Sequence, residues 1–342
     1  MLIVVVCVVV GLAFFAYRFA SGHRRGRGGA DSSAVRTQGL PVIPSPMVHK
    51  SSRKAAVTKA PVKAAPPRKE TASAVSAPVP AAAPVVAAPV AQVAGISAEE
   101  GRRLIVSGQG METAGDLLGA RKVYAEALNR CSAVEIRRDL EERLGRVNIG
   151  LLLSPRPMPE MTIHKVTAGE KIEKMAKSLG TTKELVLKSN GIPDPRRIQI
   201  GQALKICTGK FSIVVSKQKY ELVLRMNGEF FKRYPVGLGA MDKTPVGSFV
   251  VTSRDINPTW WPPEGGGPIP PDDPRNLLGT RWLATKDEAN PAADKRGLGI
   301  HGTKDESSIG KSMSHGCIRM FNRDVEELHM IVPEGTPVTI TE

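Results

Sequence analysis

Gly299-Ile300-His301-Gly302-Thr303 and Ser314-His315-Gly316-Cys317-Ile318-Arg319-Met320 bring two imidazoles and a thiol together near the end of a 342-residue chain. A free thiol with a pKa of about 8.5 is only a few per cent thiolate at neutral pH, so its use as a nucleophile requires a base close by. If the stretches 299–302 and 317–320 are adjacent strands or turns, the loop between them folds His301 back onto the Cys317 sulfur. His315, two residues before the thiol, points another way along the chain, which makes His301 the candidate base. Gly316 lets the backbone turn tightly, so that amide N–H groups near Cys317 can face a developing oxyanion. His301, His315 and Cys317 also carry zinc-ligating atoms, but no fourth ligand stands at the usual spacing, and no metal or cofactor is expected.

Working outward, the sequence alternates with period two through Phe211, Ile213 and Val215, then Leu222, Leu224 and Met226, which predicts strands. Asn227-Gly228 between two such runs predicts a hairpin with a type I′ turn, because both residues tolerate positive φ. Residues 248–252 and 336–341 add strands and 325–331 a short helix, giving a mainly-β antiparallel sandwich or barrel. Residues 256–278 hold Trp260, Trp261, three consecutive glycines and several prolines, and are read as a cleft wall.

The pattern H-x12-S-H-G-C-I-R-M, with Lys243-Thr244-Pro245-Val246-Gly247 and Gly279-Thr280-Arg281-Trp282, resembles the L,D-transpeptidase (YkuD-type) catalytic domain over roughly residues 211–341. The resemblance implies Cys317 as nucleophile, His301 as base and then acid, and the Gly302 carbonyl as orienter of the imidazole. It further implies that Ser314, His315 and Arg319 line the donor site; Trp260 and Trp261, on the loop read above as a cleft wall, are candidate substrate-binding residues. The implied reaction is attack on the amide between the third residue and D-Ala of a peptidoglycan tetrapeptide stem, release of D-Ala, and transfer of the thioester to a neighbouring stem amine. Hydrolysis by water, as an L,D-carboxypeptidase, and attachment of a protein to the wall stay open as alternatives, as does a non-catalytic wall-binding protein. Ser-x-x-Lys occurs at Ser51, Ser216 and Ser308 without the partner motifs of serine enzymes.

Upstream, residues 163–207 read as strand, helix, helix, strand. Val166-x-x-Gly169-Glu170, Asn190-Gly191-Ile192 and Ile200-Gly201-Gln202 within this βααβ pattern resemble the LysM domain, which binds N-acetylglucosamine-containing glycans. By that analogy the glycan groove lies between the loops bearing Gly169 and Glu170 on one side and Asn190, Gly191 and Ile192 on the other. Before this unit, helical spacing over residues 97–155 predicts two or three short helices, with Ser97 and Ser132 each opening a capping box. Residues 114–128 resemble part of a tetratricopeptide unit, read as packing scaffold.

The first 98 residues hold 12 basic and 2 acidic side chains of a chain whose net charge is +15. The basicity therefore belongs to a solvated tail and not to a folded nucleic-acid-reading face, so no nucleic-acid partner is expected. Residues 2–17 are unbroken apolar sequence, about 24 Å as a helix, and predict an uncleaved membrane anchor in preference to a signal peptide. Arg24, Arg25 and Arg27 follow the span, and the positive-inside rule would hold the rest of the chain cytoplasmic, against a wall substrate. The four cysteines are far apart, which excludes a disulfide scaffold and leaves a free thiol. The expected organisation is a membrane anchor (1–20), a Pro/Ala-rich disordered linker (21–96), a helical segment (97–155), an α+β LysM unit (160–208) and a catalytic domain (209–342). The partners would be the stem peptides and glycan strands of peptidoglycan and, through the anchor, a membrane. The catalytic domain would then face the periplasm or cell-wall space.

Overall fold

A computed structural model describes residues 95–289 and 297–342. The expected anchor and nearly all of the linker lie outside the described residues, among which no helix is long and apolar enough to cross a membrane.

Three helices open the described chain: α1 (Ala98–Thr113), α2 (Leu117–Arg130) and α3 (Val134–Leu152). Ser97 caps α1, its Oγ accepting from the Glu100 N–H at 3.1 Å, and Asp116 caps α2 through the Gly119 N–H at 2.8 Å. The second expected cap differs: α3 starts after Ala133, with no side-chain cap bond, because Ser132 stands one residue too early. Tyr124, Leu140, Leu144 and Leu151 are buried between the helices and the β-domain.

The βααβ unit is as the sequence predicts: β1 (Met161–Lys165) pairs antiparallel with β2 (Ala203–Cys207), with α4 (Ile172–Ser178) and α5 (Lys183–Ser189) between them. Val166, Ile172, Met175, Leu204 and Ile206 form its own small core. The β-domain contains β3 (Phe211–Ser216), β4 (Glu221–Met226), β5 (Glu229–Pro235), β6 (Leu238–Gly239), β7 (Gly247–Ile256), β8 (Arg281–Asp287), β9 (Gly299–Thr303), β10 (Ser312–Ser314), β11 (Ile318–Phe321) and β12 (Pro337–Thr341). Helix α6 (Asn322–Ile331) follows β11 directly. The β4–β5 turn has Asn227 at φ 53° and Gly228 at φ 83°, the type I′ signature.

The main sheet runs β11-β9-β8-β7-β12-β3-β4-β5. It is mixed where the sequence predicts an antiparallel one, since β11 pairs parallel with β9 and β12 parallel with β3. Each parallel pair joins strands far enough apart in sequence for the chain to return in the same direction. Beyond β5, Gly237 exchanges backbone hydrogen bonds with Arg319 of β11 at 2.9 and 2.8 Å, so the sheet curls until its last strand's exit meets its first strand. The far side of β5 is covered by α3, where Asn148 Nδ2 donates to the Phe231 carbonyl at 2.8 Å and shields an otherwise open sheet edge.

Lys205 in β2 locks the small unit against the helices. Its Nζ donates to the Leu151 and Ser154 carbonyls at 2.8 and 2.7 Å, satisfying acceptors at the C-terminus of α3. Lys205 is 5% exposed, and burial pushes its ammonium pKa down. Thr182, the cap of α5, also bonds the Met330 carbonyl of α6, tying the unit to the β-domain. Replacing Lys205 with Ala strands two carbonyls in a buried site and is expected to cost roughly 2–4 kcal/mol, measured as a lowered urea midpoint with far-UV CD retained.

Candidate active site

The β9–β11 register aligns Ile300 with Ile318 and His301 with Arg319. Cys317, one residue ahead of Ile318, therefore comes beside Gly299, and strand alternation puts it on the same face as His301 and Arg319. On the other side of β9, Trp282 pairs with His301, and the two rings stack with centroids 5.6 Å apart. A Cβ on Gly299 would lie 2.5 Å from the Trp282 ring, and one on Gly302 2.1 Å from Asn322 Oδ1. The glycines flanking His301 are thus the space into which an indole and an amide fit.

His301 is 3% exposed, with Nδ1 2.5 Å from the Gly302 carbonyl. A carbonyl only accepts, so Nδ1 carries the proton and, in the neutral ring, Nε2 is the free base. Burial pushes the imidazole down to about 4; the Arg319 charge adds to this, while the Gly302 and Leu278 carbonyls oppose it. Cys317 keeps part of its surface in solvent, although its surroundings are dense enough that burial pushes its thiol up, against the Gly299 N–H and the Arg319 charge. The Sγ donates to the Gly297 carbonyl at 3.0 Å. Among the described residues no hydrogen bond joins Cys317 to His301, so the thiol and the imidazole share a face without sharing a proton.

The turn before Cys317 is held from inside. Gly316 has φ 136°, a region that favours glycine. Its N–H donates to Ser314 Oγ at 3.2 Å, so the Gly316 amide is spent on the turn and is not available to an oxyanion. Ser314 Oγ donates in turn to the Cys317 carbonyl at 2.6 Å. Ser314 is 4% exposed, which places it beneath the thiol as a brace and not in a donor-site wall. Thr244, buried, accepts from the Gly239 N–H at 2.7 Å and donates to the Gly316 carbonyl at 2.8 Å. Sequence reasoning noted Thr244 only within a motif; its bracing role depends on contacts across 72 positions. Arg319 is half-buried, and its Nε is enclosed without a hydrogen-bond partner among the described residues.

His315 is exposed, and its Nε2 lies 3.7 Å from Glu264 of the Trp-rich loop. That loop is built and closed. Trp260 and Ile269 exchange backbone hydrogen bonds at 2.8 Å, and buried Asn276 donates through Nδ2 to the Pro258, Ile269 and Pro270 carbonyls. Asn322 accepts from the Thr280 N–H and donates to the Thr303 carbonyl, fixing the loop's return beside β9. Neither asparagine was distinguishable in sequence from an ordinary polar residue. Trp260 is half-buried and Trp261 is 70% exposed.

In the small unit, the residues expected at a glycan groove divide. Glu170 accepts from the Thr167 N–H and hydroxyl and sits 3.0 Å from His164 Nε2. Asn190 uses its amide on the Val186 and Lys205 carbonyls and its Oδ1 on the Lys205 N–H. Ile192 packs on the unit's core. These three are framework, because the short loops need local hydrogen bonds to hold their shape; Gly169 and Gly191 are exposed in their loops. Cys131 and Cys207 are buried free thiols.

Residues 210–340 match the family model of the L,D-transpeptidase catalytic domain (YkuD), and residues 164–206 match that of the LysM domain. A Bacillus licheniformis protein named as an L,D-transpeptidase, YkuD, is 36% identical over 188 residues, covering 53% of this chain and 99% of that protein. Bacillus subtilis YkuD is 38% identical over 151 residues, covering 44% of this chain and 71% of its own, and carries the same name. A solved L,D-transpeptidase from Mycobacterium tuberculosis H37Rv is 19% identical with a TM-score of 0.32, over 42% of this chain and 64% of that one. The chain belongs to the L,D-transpeptidase family, with a LysM domain ahead of its catalytic domain.

The buried imidazole makes stability depend on pH. His301 in the folded chain titrates near 4, below its ordinary 6.5, so between those values the unfolded chain binds a proton that the folded one does not. Its contribution is fully present above pH 6.5 and is lost as pH falls towards 4, on the order of 3 kcal/mol in all. His329, pushed down to about 3 by burial and by Arg254 and Arg281, acts in the same direction. Urea unfolding from pH 7 to pH 4 is expected to show this decline in the wild type and a shallower one in His301→Asn.

Proposed function

We propose that this chain is a cysteine-dependent L,D-transpeptidase that cross-links peptidoglycan stems, with Cys317 as nucleophile and His301 as its base. The observation that carries the reading is the pairing of β9 with β11, which sets a thiol and a buried neutral imidazole on one face of adjacent strands. At neutral pH both groups are uncharged, so the thiol loses its proton to His301 as it attacks, and no standing ion pair is needed. The sulfur turns from the Gly297 carbonyl towards Nε2, and the Gly302 carbonyl holds Nδ1–H throughout. Attack on the amide before D-Ala gives a thioester; the imidazolium returns its proton to the departing amine. An acceptor amine from a neighbouring stem then displaces the sulfur.

The Arg319 charge bears on both reacting groups and suits a stem carboxylate. The exposed Trp261 and half-buried Trp260 wall the substrate cleft. The LysM unit would hold the enzyme on glycan through the loops bearing Gly169 and Gly191. The substrate places the catalytic domain in the periplasm or cell-wall space, with residues 1–20 as the membrane anchor and the linker setting reach.

The purified protein is expected to gain the mass of one carbapenem on incubation with that drug, and Cys317→Ala to gain none. Acylation of Cys317→Ala would overturn the assignment. His301→Gln is expected to slow acylation by 10²-fold or more, measured by stopped-flow absorbance of the drug. With a tetrapeptide donor, dimer formation in the presence of an acceptor stem, read by mass spectrometry, separates cross-linking from trimming to the tripeptide.

A further inference from the structure

The second half-reaction presents a charge problem that the first does not. A primary aliphatic amine is an ammonium at neutral pH, with a pKa of about 10.4, and must approach the thioester as a cation before it sheds a proton. The Arg319 cation, which lies on the reacting face, opposes that approach. Among the described carboxylates, Asp242, two residues before the Thr244 that braces the turn, is already paired with Lys217. Glu264 differs. It is 65% exposed, and it reaches from the loop tip to within 3.7 Å of His315, two residues before the nucleophile.

We infer that Glu264 forms the acceptor subsite, its carboxylate receiving the ammonium of the incoming stem beside the Cys317 thioester. This rests on the transpeptidase reading above and adds to it the residue that favours an amine over water. Two observations carry it: Glu264 is the described carboxylate that lies within 3.7 Å of a side chain of the 314–317 turn, and it stands on a loop held in place. The Trp260–Ile269 bridge closes the loop's neck, the Gly265 N–H bonds the Pro262 carbonyl at its tip, and Asn276 anchors its return. His315 is the turn's side chain that faces that carboxylate, at 3.7 Å. The ammonium exchanges with the exposed imidazole for that carboxylate and then loses one proton to solvent. As the C–N bond forms and the C–S bond breaks, the second proton passes through His301 to the sulfur. One amide and one thiol result.

The test uses the full chain acylated with a tetrapeptide donor, and reads how the acyl-enzyme partitions between amine and water. Two nucleophiles are compared: a tetrapeptide stem bearing a side-chain ammonium, and hydroxylamine, which is uncharged at neutral pH. Glu264→Gln is expected to lower the stem-to-water product ratio about fivefold while leaving the hydroxylamine-to-water ratio in place, and Glu264→Asp to recover part of the loss. An unchanged stem ratio in Glu264→Gln would overturn the inference. So would an equal loss towards hydroxylamine, which would mark a distorted loop. If the wild type forms no acyl-enzyme at all, the cysteine reading fails first and the acceptor subsite falls with it, a result distinct from acylation followed by unaltered partitioning.

Discussion

The parallel pairing of β9 with β11 is the constraint on which the site depends. Cys317 and His301 fall on one face only because β9 and β11, whose paired residues stand eighteen positions apart, run in the same direction, and parallel neighbours need a crossover between them. That crossover carries β10, which pairs with β6, and β11 is held on its outer side by the Gly237–Arg319 bridge. The catalytic strand is therefore clasped between β9 and the chain leaving β5. Thr244 and Ser314 extend the clasp into the turn itself, each hydroxyl serving two backbone groups.

Burial of the imidazole gives the site its chemical character. A buried histidine is a poor cation, and the Arg319 charge makes it poorer, although the carbonyl that orients the ring works the other way. The same charge favours the thiolate. Arg319 thus raises the acidity of the Cys317 thiol while weakening His301 as a base, and both groups rest neutral at pH 7. A neutral resting thiol is less prone to oxidation than a thiolate would be.

Much of this arrangement was legible in the sequence where local rules decide it. Period-two alternation located β3, β4 and β5, Asn227-Gly228 fixed the hairpin between β4 and β5, and the βααβ order of the LysM unit followed from short apolar runs punctuated by turn residues. The motif around Cys317 was readable because its residue types are chemically distinctive. The legible part stopped where partners lie far apart in the chain. Strand direction cannot be read from alternation, so β11 and β12 were expected to be antiparallel throughout. Ser314 and Asn190 look like surface-facing polar residues in sequence, and only their distant or folded-back partners show that they are internal braces. Ser132 failed as a cap for a local reason, since one position separates a capping serine from a neighbouring one.

The Lys205 contact bears on how the modules can be separated. In sequence the LysM unit looks detachable, with a Pro-rich break before it and a change of periodicity after it. In the folded chain its lysine finishes a helix that belongs to the preceding segment, and that helix in turn sheathes the border of the catalytic sheet. Excising the LysM unit would uncap α3 and loosen the catalytic scaffold along with it. Any comparison of whole and shortened enzymes would then mix the loss of that unit's own binding with lost rigidity, two effects that a boundary drawn on sequence alone would treat as one.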